Sequence, residues 1–301
     1  MLVSKFLDPK NDFAFRRIFG AEKNKDILIP FLNAMLEFQG DQVIADVQFL
    51  KTIQDPEIAS RKQSIVDVLC TDQKNRQLIV EMQVAHTRGF EKRALYYAAK
   101  AYISQMKQGE SYESLKEVIF LAITDFIMFP RNQDYKSDHI ILDKKTHDHA
   151  LKDFSFTFLE LPKFNKDLGN LSTLVEKWTY FFKHAETTQE GDLEALIGQD
   201  PVIERAYQEV NRYAWSEEEL HTYEQEEKRE RDHQASLDSA HYKGWEKGKE
   251  EGREEGLTKG REEGEKKKAQ QIAVNLLKLG VPVEKVMEAT GLSEKEIKKL
   301  A

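Results

Sequence analysis

The chain has 301 residues, which a prior of roughly 150 residues per domain resolves into one large or two modest domains. Its 45 basic and 53 acidic side chains leave a net charge of −8, which excludes a basic nucleic-acid coat and argues against gross attraction to anionic membranes. One cysteine, Cys70, precludes an internal disulfide and a thiolate zinc cluster. The first residues lack the long apolar stretch of a signal peptide, and Val118 to Phe129 is too short to span a bilayer. A soluble, cytoplasmic protein without a membrane role is expected.

In chain order, the spacing of Phe15, Ile18 and Phe19 predicts a helix from Asn11 or Asp12 to Phe19, stopped by Gly20. A second helix is expected over Lys25–Glu37, with a break or kink at Pro30. Three strands follow at Val43–Leu50, Gln63–Thr71 and Gln77–Ala85; the last two flank a polar turn, Asp72 to Arg76, and read as a hairpin. A helix over Gly89–Lys107 leads to strands at Val118–Ile123 and Phe154–Leu161, and helices near Asn170–Ala185 and Pro201–Ala214 follow. A long helix between strands fits a crossover joining parallel neighbours, so an α/β mixed sheet is expected.

Composition changes near Trp215, where a Glu/Lys/Arg-rich, proline-free segment begins. Within it Gly244, Gly248, Gly252, Gly256, Gly260 and Gly264 recur every four residues. On a helix that period drifts by about 40° per repeat, forming a slowly winding stripe. Each glycine costs about 1 kcal/mol against alanine. Two readings follow: close helix–helix contact, most simply self-association, and a solvated Glu/Lys linker; the first is favoured. The C-terminal stretch reads as three short helices, with Gly280 and Gly291 as stops, Pro282 in a first turn and Ser293 to Glu296 as a capping box. A helix–turn–helix is weighed over Val283 to Leu300, but acid and base nearly cancel there, and a small interaction module is preferred. The expected division is 1–214, 215–279 and 280–301.

Chemistry concentrates in Ser64-Ile-Val-Asp67-Val-Leu-Cys-Thr and Leu78-Ile-Val-Glu81-Met-Gln83-Val. Each apolar strand carries polar residues in mid-run. Glu81 and Gln83, two apart, share one face, and a hairpin brings Asp67 to a similar height. Buried carboxylates call for a cation, and oxygen-only ligands suit Mg²⁺ or Mn²⁺. Such an ion supports phosphodiester hydrolysis.

The arrangement resembles the PD-(D/E)xK phosphodiesterase fold. More narrowly, the chain is similar to the recombination-promoting nuclease (Rpn) group, also described as PD-(D/E)xK transposases. The resemblance rests on Asp8-Pro-Lys-Asn-Asp12-Phe-Ala-Phe-Arg16-Arg-Ile-Phe19, the Asp67 strand, Glu81-Met-Gln83, Phe90-Glu-Lys-Arg93-Ala-Leu-Tyr96-Tyr97 and Leu159-Glu160-Leu161-Pro162-Lys163-Phe164. It covers most of the chain to about residue 215. It implies a restriction-endonuclease-like core and a Mg²⁺-dependent DNA endonuclease linked to recombination or transposition. Carried over by position, Asp67 and Glu81 are metal ligands and Gln83 stands where the wider superfamily has lysine. Asp12 is a candidate auxiliary metal acid, Arg93 a candidate DNA-phosphate contact and Lys92 a less favoured substitute for the lysine. The rival is a nuclease-fold scaffold without activity. His139, His147 and His149 read as a solvated loop, and Tyr96 and Tyr97 as core or core-edge residues.

Overall fold

The computed structural model describes residues 4–54, 64–106, 109–198 and 200–300. Asn11 caps α1 (Asp12–Phe19), its side chain accepting from the amides of Phe13 and Ala14, and Ala14, Phe15, Ile18 and Phe19 are buried. The next helix, α2 (Lys25–Met35), runs on through Pro30 instead of breaking. Ile27, Leu28, Phe31, Leu32 and Met35 are all buried along it, and that packing offsets the lost backbone hydrogen bond.

The expected strand at Val43–Leu50 is shorter, β1 (Val47–Phe49), because the side chains of Asn33 and Gln73 engage the backbone of Val43, Ile44 and Ala45. Two short strands, β2 (Ile53–Gln54) and β3 (Ser64–Ile65), pair antiparallel as a separate ribbon. The run expected over Gln63–Thr71 is thus divided, with Asp67 in a bend between β3 and β4 (Val68–Asp72); Gln63 lies outside the described residues. The hairpin to β5 (Gln77–Gln83) turns at Asp72, whose carboxylate accepts from the amides of Lys74 and Arg76 and from Arg76 Nε at 2.7 Å.

Gly89, at φ 79°, opens α3 (Phe90–Ser104) in the left-handed region that favours glycine. Lys107, the expected end of this helix, lies outside the described residues. After it come β6 (Val118–Thr124), β7 (Lys136–Ile140) and β8 (Phe154–Glu160). The six-stranded sheet has the order β1-β4-β5-β6-β8-β7, with β5, β6 and β8 parallel and the other pairs antiparallel. The expected mixed sheet and crossover helix are therefore present. β7 is an addition, and it removes His139 from the expected loop: the ring lies 4.8 Å from that of Phe129 and 5.5 Å from that of Phe158.

Strand alternation divides the core. Leu78, Val80 and Met82 face one cluster with Phe15, Phe19, Phe31, Trp178 and Phe182, whereas Ile79, Phe120, Phe156 and Phe158 face α3. Ala94, Ala98 and Ala101 line the sheet-facing side of α3, where small side chains allow the helix to lie close to the strands. The first face is completed by α4 (Leu174–His184), α5 (Glu190–Ile197) and α6 (Pro201–Glu209); α5 carries no strong sequence signal.

A 62-residue helix, α7 (Glu217–Lys278), follows, about 90 Å long at 1.5 Å per residue. By packing the chain forms two units, 1–230 and 231–301. In the first, the root of α7 is fixed by Tyr223, whose hydroxyl accepts from the Asp8 amide at 3.0 Å, and by an Arg17–Glu219 ion pair. In the second, α8 (Val283–Thr290) and α9 (Glu294–Ile297) pack on the end of α7 around Ala273, Val286, Leu292 and Ile297. Ser293 and Glu296 form the expected capping box. Among the described residues no helix is long and apolar enough to cross a membrane.

Candidate active site

The register of the hairpin pairs Val68 with Val80, so one step beyond the ladder Asp67 stands across from Glu81. Local geometry fixes the first acid. Asp67 Oδ2 accepts from the Met82 amide at 3.0 Å, and Oδ1 accepts from Arg16 Nη2 at 2.9 Å and Nε at 3.2 Å. Asp67 is 7% exposed and Glu81 is 5% exposed. Glu81 Oε1 is buried with no hydrogen-bond partner.

A carboxylate in that condition is out of balance with its surroundings. Burial, then repulsion by Asp67, pushes the Glu81 carboxyl well above the usual range, and Arg93 pulls against both. Burial also raises Asp67, against the lowering effect of the Met82 amide and Arg16. A divalent cation would answer this deficit. Among the described residues no group of three or more His, Cys, Asp or Glu is gathered to hold a metal. Two carboxylates nevertheless suffice for Mg²⁺, which usually keeps several waters. The donors are hard oxygens, so the residues fit that class of ion.

Gln83 lies on the same face as Glu81, two positions on. Its Nε2 donates to the Ala85 carbonyl at 3.0 Å, and its Oε1 accepts from Arg93 Nη2. Arg93 reaches there from the first turn of α3, its guanidinium 4.8 Å from the Phe90 ring centroid and 5.9 Å from that of Tyr97. The amide therefore holds an arginine beside the acid pair. Sequence reasoning had Arg93 in the neighbourhood, but the Gln83 contact spans two elements and no local signal announces it. Arg16 was missed as a site residue; only its place in the opening motif pointed to it.

Asp12 stands at the rim, its side chain 51% exposed, with Oδ2 3.6 Å from Arg16 Nη2. Lys92 is exposed on α3. Tyr96 is exposed as well, contrary to a core-edge placement, whereas Tyr97 packs beneath Arg93. Cys70 is buried, and burial pushes its thiol up to about 12, so it is inert.

Residues 9–240 match the family described as PD-(D/E)XK nuclease family transposase. Residues 266–301 match the C-terminal HTH domain of the Rpn/YhgA-like nuclease family. No curated protein and no solved structure matches the chain. The second match reverses the preference for an interaction module over a helix–turn–helix. The charge balance was struck over Val283 to Leu300, whereas the matched segment begins at Lys266. From there to the end stand eight lysines against four glutamates, so the segment is basic.

Proposed function

The chain belongs to the PD-(D/E)XK nuclease family transposases, and from that premise we propose that it is a Mg²⁺- or Mn²⁺-dependent DNA endonuclease serving recombination or transposition in the cytoplasm. The observation that carries this reading is the partnerless Oε1 of Glu81, buried beside a buried Asp67. Asp67 and Glu81 would hold the cation, with Asp12 as an auxiliary acid at the rim. A divalent ion so held neutralises phosphate charge and lowers the pKa of bound water.

The remaining roles follow from the chain's own side chains. The Met82 amide fixes the rotamer of Asp67. Gln83 is a supporting group: it holds the Arg93 guanidinium, which supplies the positive charge that a lysine would carry two positions after Glu81. Arg93 is thereby placed to meet a DNA phosphate oxygen and to stabilise charge developing on it. Arg16 and Arg93 place two cations beside the acids, with Asp12 opposite Arg16 at the rim, and a phosphodiester substrate requires such charge. Affinity for DNA is shared with the basic C-terminal segment.

Homo-oligomerisation through 216–279 is part of the same proposal. A Cβ at any of the six spaced glycines would meet nothing within 4 Å in the protein, so the stripe is open to a second helix.

The test is nicking of supercoiled plasmid with Mg²⁺, with EDTA, and with Asp67→Ala and Glu81→Ala proteins. Metal-dependent nicking absent from both variants is expected. An inert wild type under Mg²⁺ and Mn²⁺ would instead favour a nuclease-fold scaffold without activity.

A further inference from the structure

We infer that Arg16 is the resident counter-ion of the acid pair: it occupies the Asp67 oxygen that the divalent cation needs, and it must leave for the cation to bind.

Three features lead there. Asp67 Oδ2 accepts from the Met82 amide of strand β5, and Oδ1 is the oxygen whose contacts come from a side chain able to move away. Both Nε and Nη2 of Arg16 converge on that Oδ1, a forked contact on one atom in place of the usual two-oxygen clamp. The arginine itself is not locked in. Its side chain is 47% exposed, and Asp12 Oδ2 stands 3.6 Å from the same Nη2, a second carboxylate within reach on the solvent side.

Charge arithmetic explains why such a residue is present. Two buried carboxylates without a cation would repel each other, and removing one partner of a buried charge pair is costly. Arg16 reduces that cost in the cation-free protein, while Glu81 Oε1 remains without a partner. A divalent ion at Asp67 and Glu81 would replace the arginine, and the freed guanidinium would lie at the mouth between Asp12 and incoming phosphate. Arg16 therefore lowers the apparent affinity for the cation, since every binding event includes breaking the contact to Oδ1.

The inference rests on the Asp67–Glu81 cation site, and the experiment separates the two. Full-length wild type, Arg16→Met, Arg16→Lys and Asp67→Asn are titrated with MnCl₂ by calorimetry at pH 8, where proton competition for the acids is weakest. Circular dichroism and thermal melts establish that each is folded. Arg16→Met is expected to bind Mn²⁺ roughly tenfold more tightly than wild type, the scale of one lost charge-assisted hydrogen bond. Arg16→Lys is expected to stay near the wild-type value, and Asp67→Asn to lose saturable binding. Saturable wild-type binding with Arg16→Met equal to or weaker than it would overturn the counter-ion role and leave the site intact. If Arg16→Met fails to fold, the decision falls to Arg16→Lys, and binding more than tenfold weaker than wild type there would overturn the role. Wild-type binding that survives Asp67→Asn unchanged would overturn the cation site itself and the inference with it.

Discussion

The backbone amide of Met82 donates to the carboxylate of Asp67 at 3.0 Å, so the strand that carries Glu81 also aims the acid opposite it. The two proposed ligands are positioned by one hairpin, and neither depends on a mobile loop. Removing the Asp67 carboxyl therefore has a structural cost besides the chemical one. Asp67→Ala leaves the Met82 amide and Arg16 without their acceptor and is expected to destabilise the fold by about 1–3 kcal/mol. Asp67→Asn, which keeps an acceptor oxygen, is expected to lose less than half of that while still abolishing nicking. Urea unfolding of the two variants checks this, and equal stabilities would count against the amide's role.

Glu81 carries a stability cost. Burial, reinforced by Asp67, raises its carboxyl well above the range it has in the unfolded chain. Between those two values the native state binds more protons than the unfolded one, so stability falls as pH rises through that window. Glu81→Gln removes the group and is expected to raise the melting temperature of the cation-free protein, more at pH 8 than at pH 5. Each kcal/mol relieved corresponds to roughly 2–4 °C. Added Mg²⁺ is expected to raise the melting temperature of wild type and not that of the variant. A variant that melts lower than wild type at pH 8 would refute the assignment of strain to this side chain.

Gln83 and Arg93 act as one unit through a hydrogen bond, and their substitutions should not add. Arg93→Ala is expected to reduce nicking about 100-fold, the size of one lost charge-stabilising donor. Gln83→Ala is expected to cost less, because Phe90 and Tyr97 still hold the guanidinium. Gln83→Lys in the Arg93→Ala background should restore part of the rate by returning a cation to the same face. Kinetics of these proteins and of the Gln83→Ala/Arg93→Ala double variant decide the matter; strictly additive losses in that double variant would break the pair apart.

The tail glycines permit a test in which two readings predict opposite outcomes. Alanine at Gly252 and Gly256 meets no neighbouring atom and gains about 1 kcal/mol per site in helix propensity. The double variant should therefore be more helical. If the stripe is where a second copy packs, it should also associate less, as sedimentation would report. A more helical protein with undiminished association would show the stripe to be a solvated surface.

Much of this architecture is legible from periodicity. Phe15, Ile18 and Phe19 mark the buried side of α1, and the polar interruption at Asp72–Arg76 marks the hairpin. Asp67, Glu81 and Gln83 stood out because polar residues break apolar strands. The reading was weaker where structure depends on distant partners. β7 is mostly polar and half exposed, and it is a strand because β8 offers it an open edge. Pro30 signals a break locally, yet α2 stays whole because its apolar side is fully packed. Arg16 looks like any helix arginine until folding brings Asp67, 51 positions away, against it. The C-terminal charge was misjudged because Gly280 and Pro282 suggested a boundary, while the matched domain draws its first lysines from α7.

The anchoring of α7 has a mechanical consequence. Tyr223 takes its hydrogen bonds from the Asp8 amide and, through its carbonyl, from Asn11 Nδ2 at 3.3 Å, and Arg17 pairs with Glu219. Asn11 caps α1, and Arg16 lies little more than one turn further along that helix. A displacement of the root of α7, within residues 1–230, would therefore be felt first at the foot of α1, the helix that carries Arg16. The root of α7 is tied through α1 to the side chain that contacts Asp67.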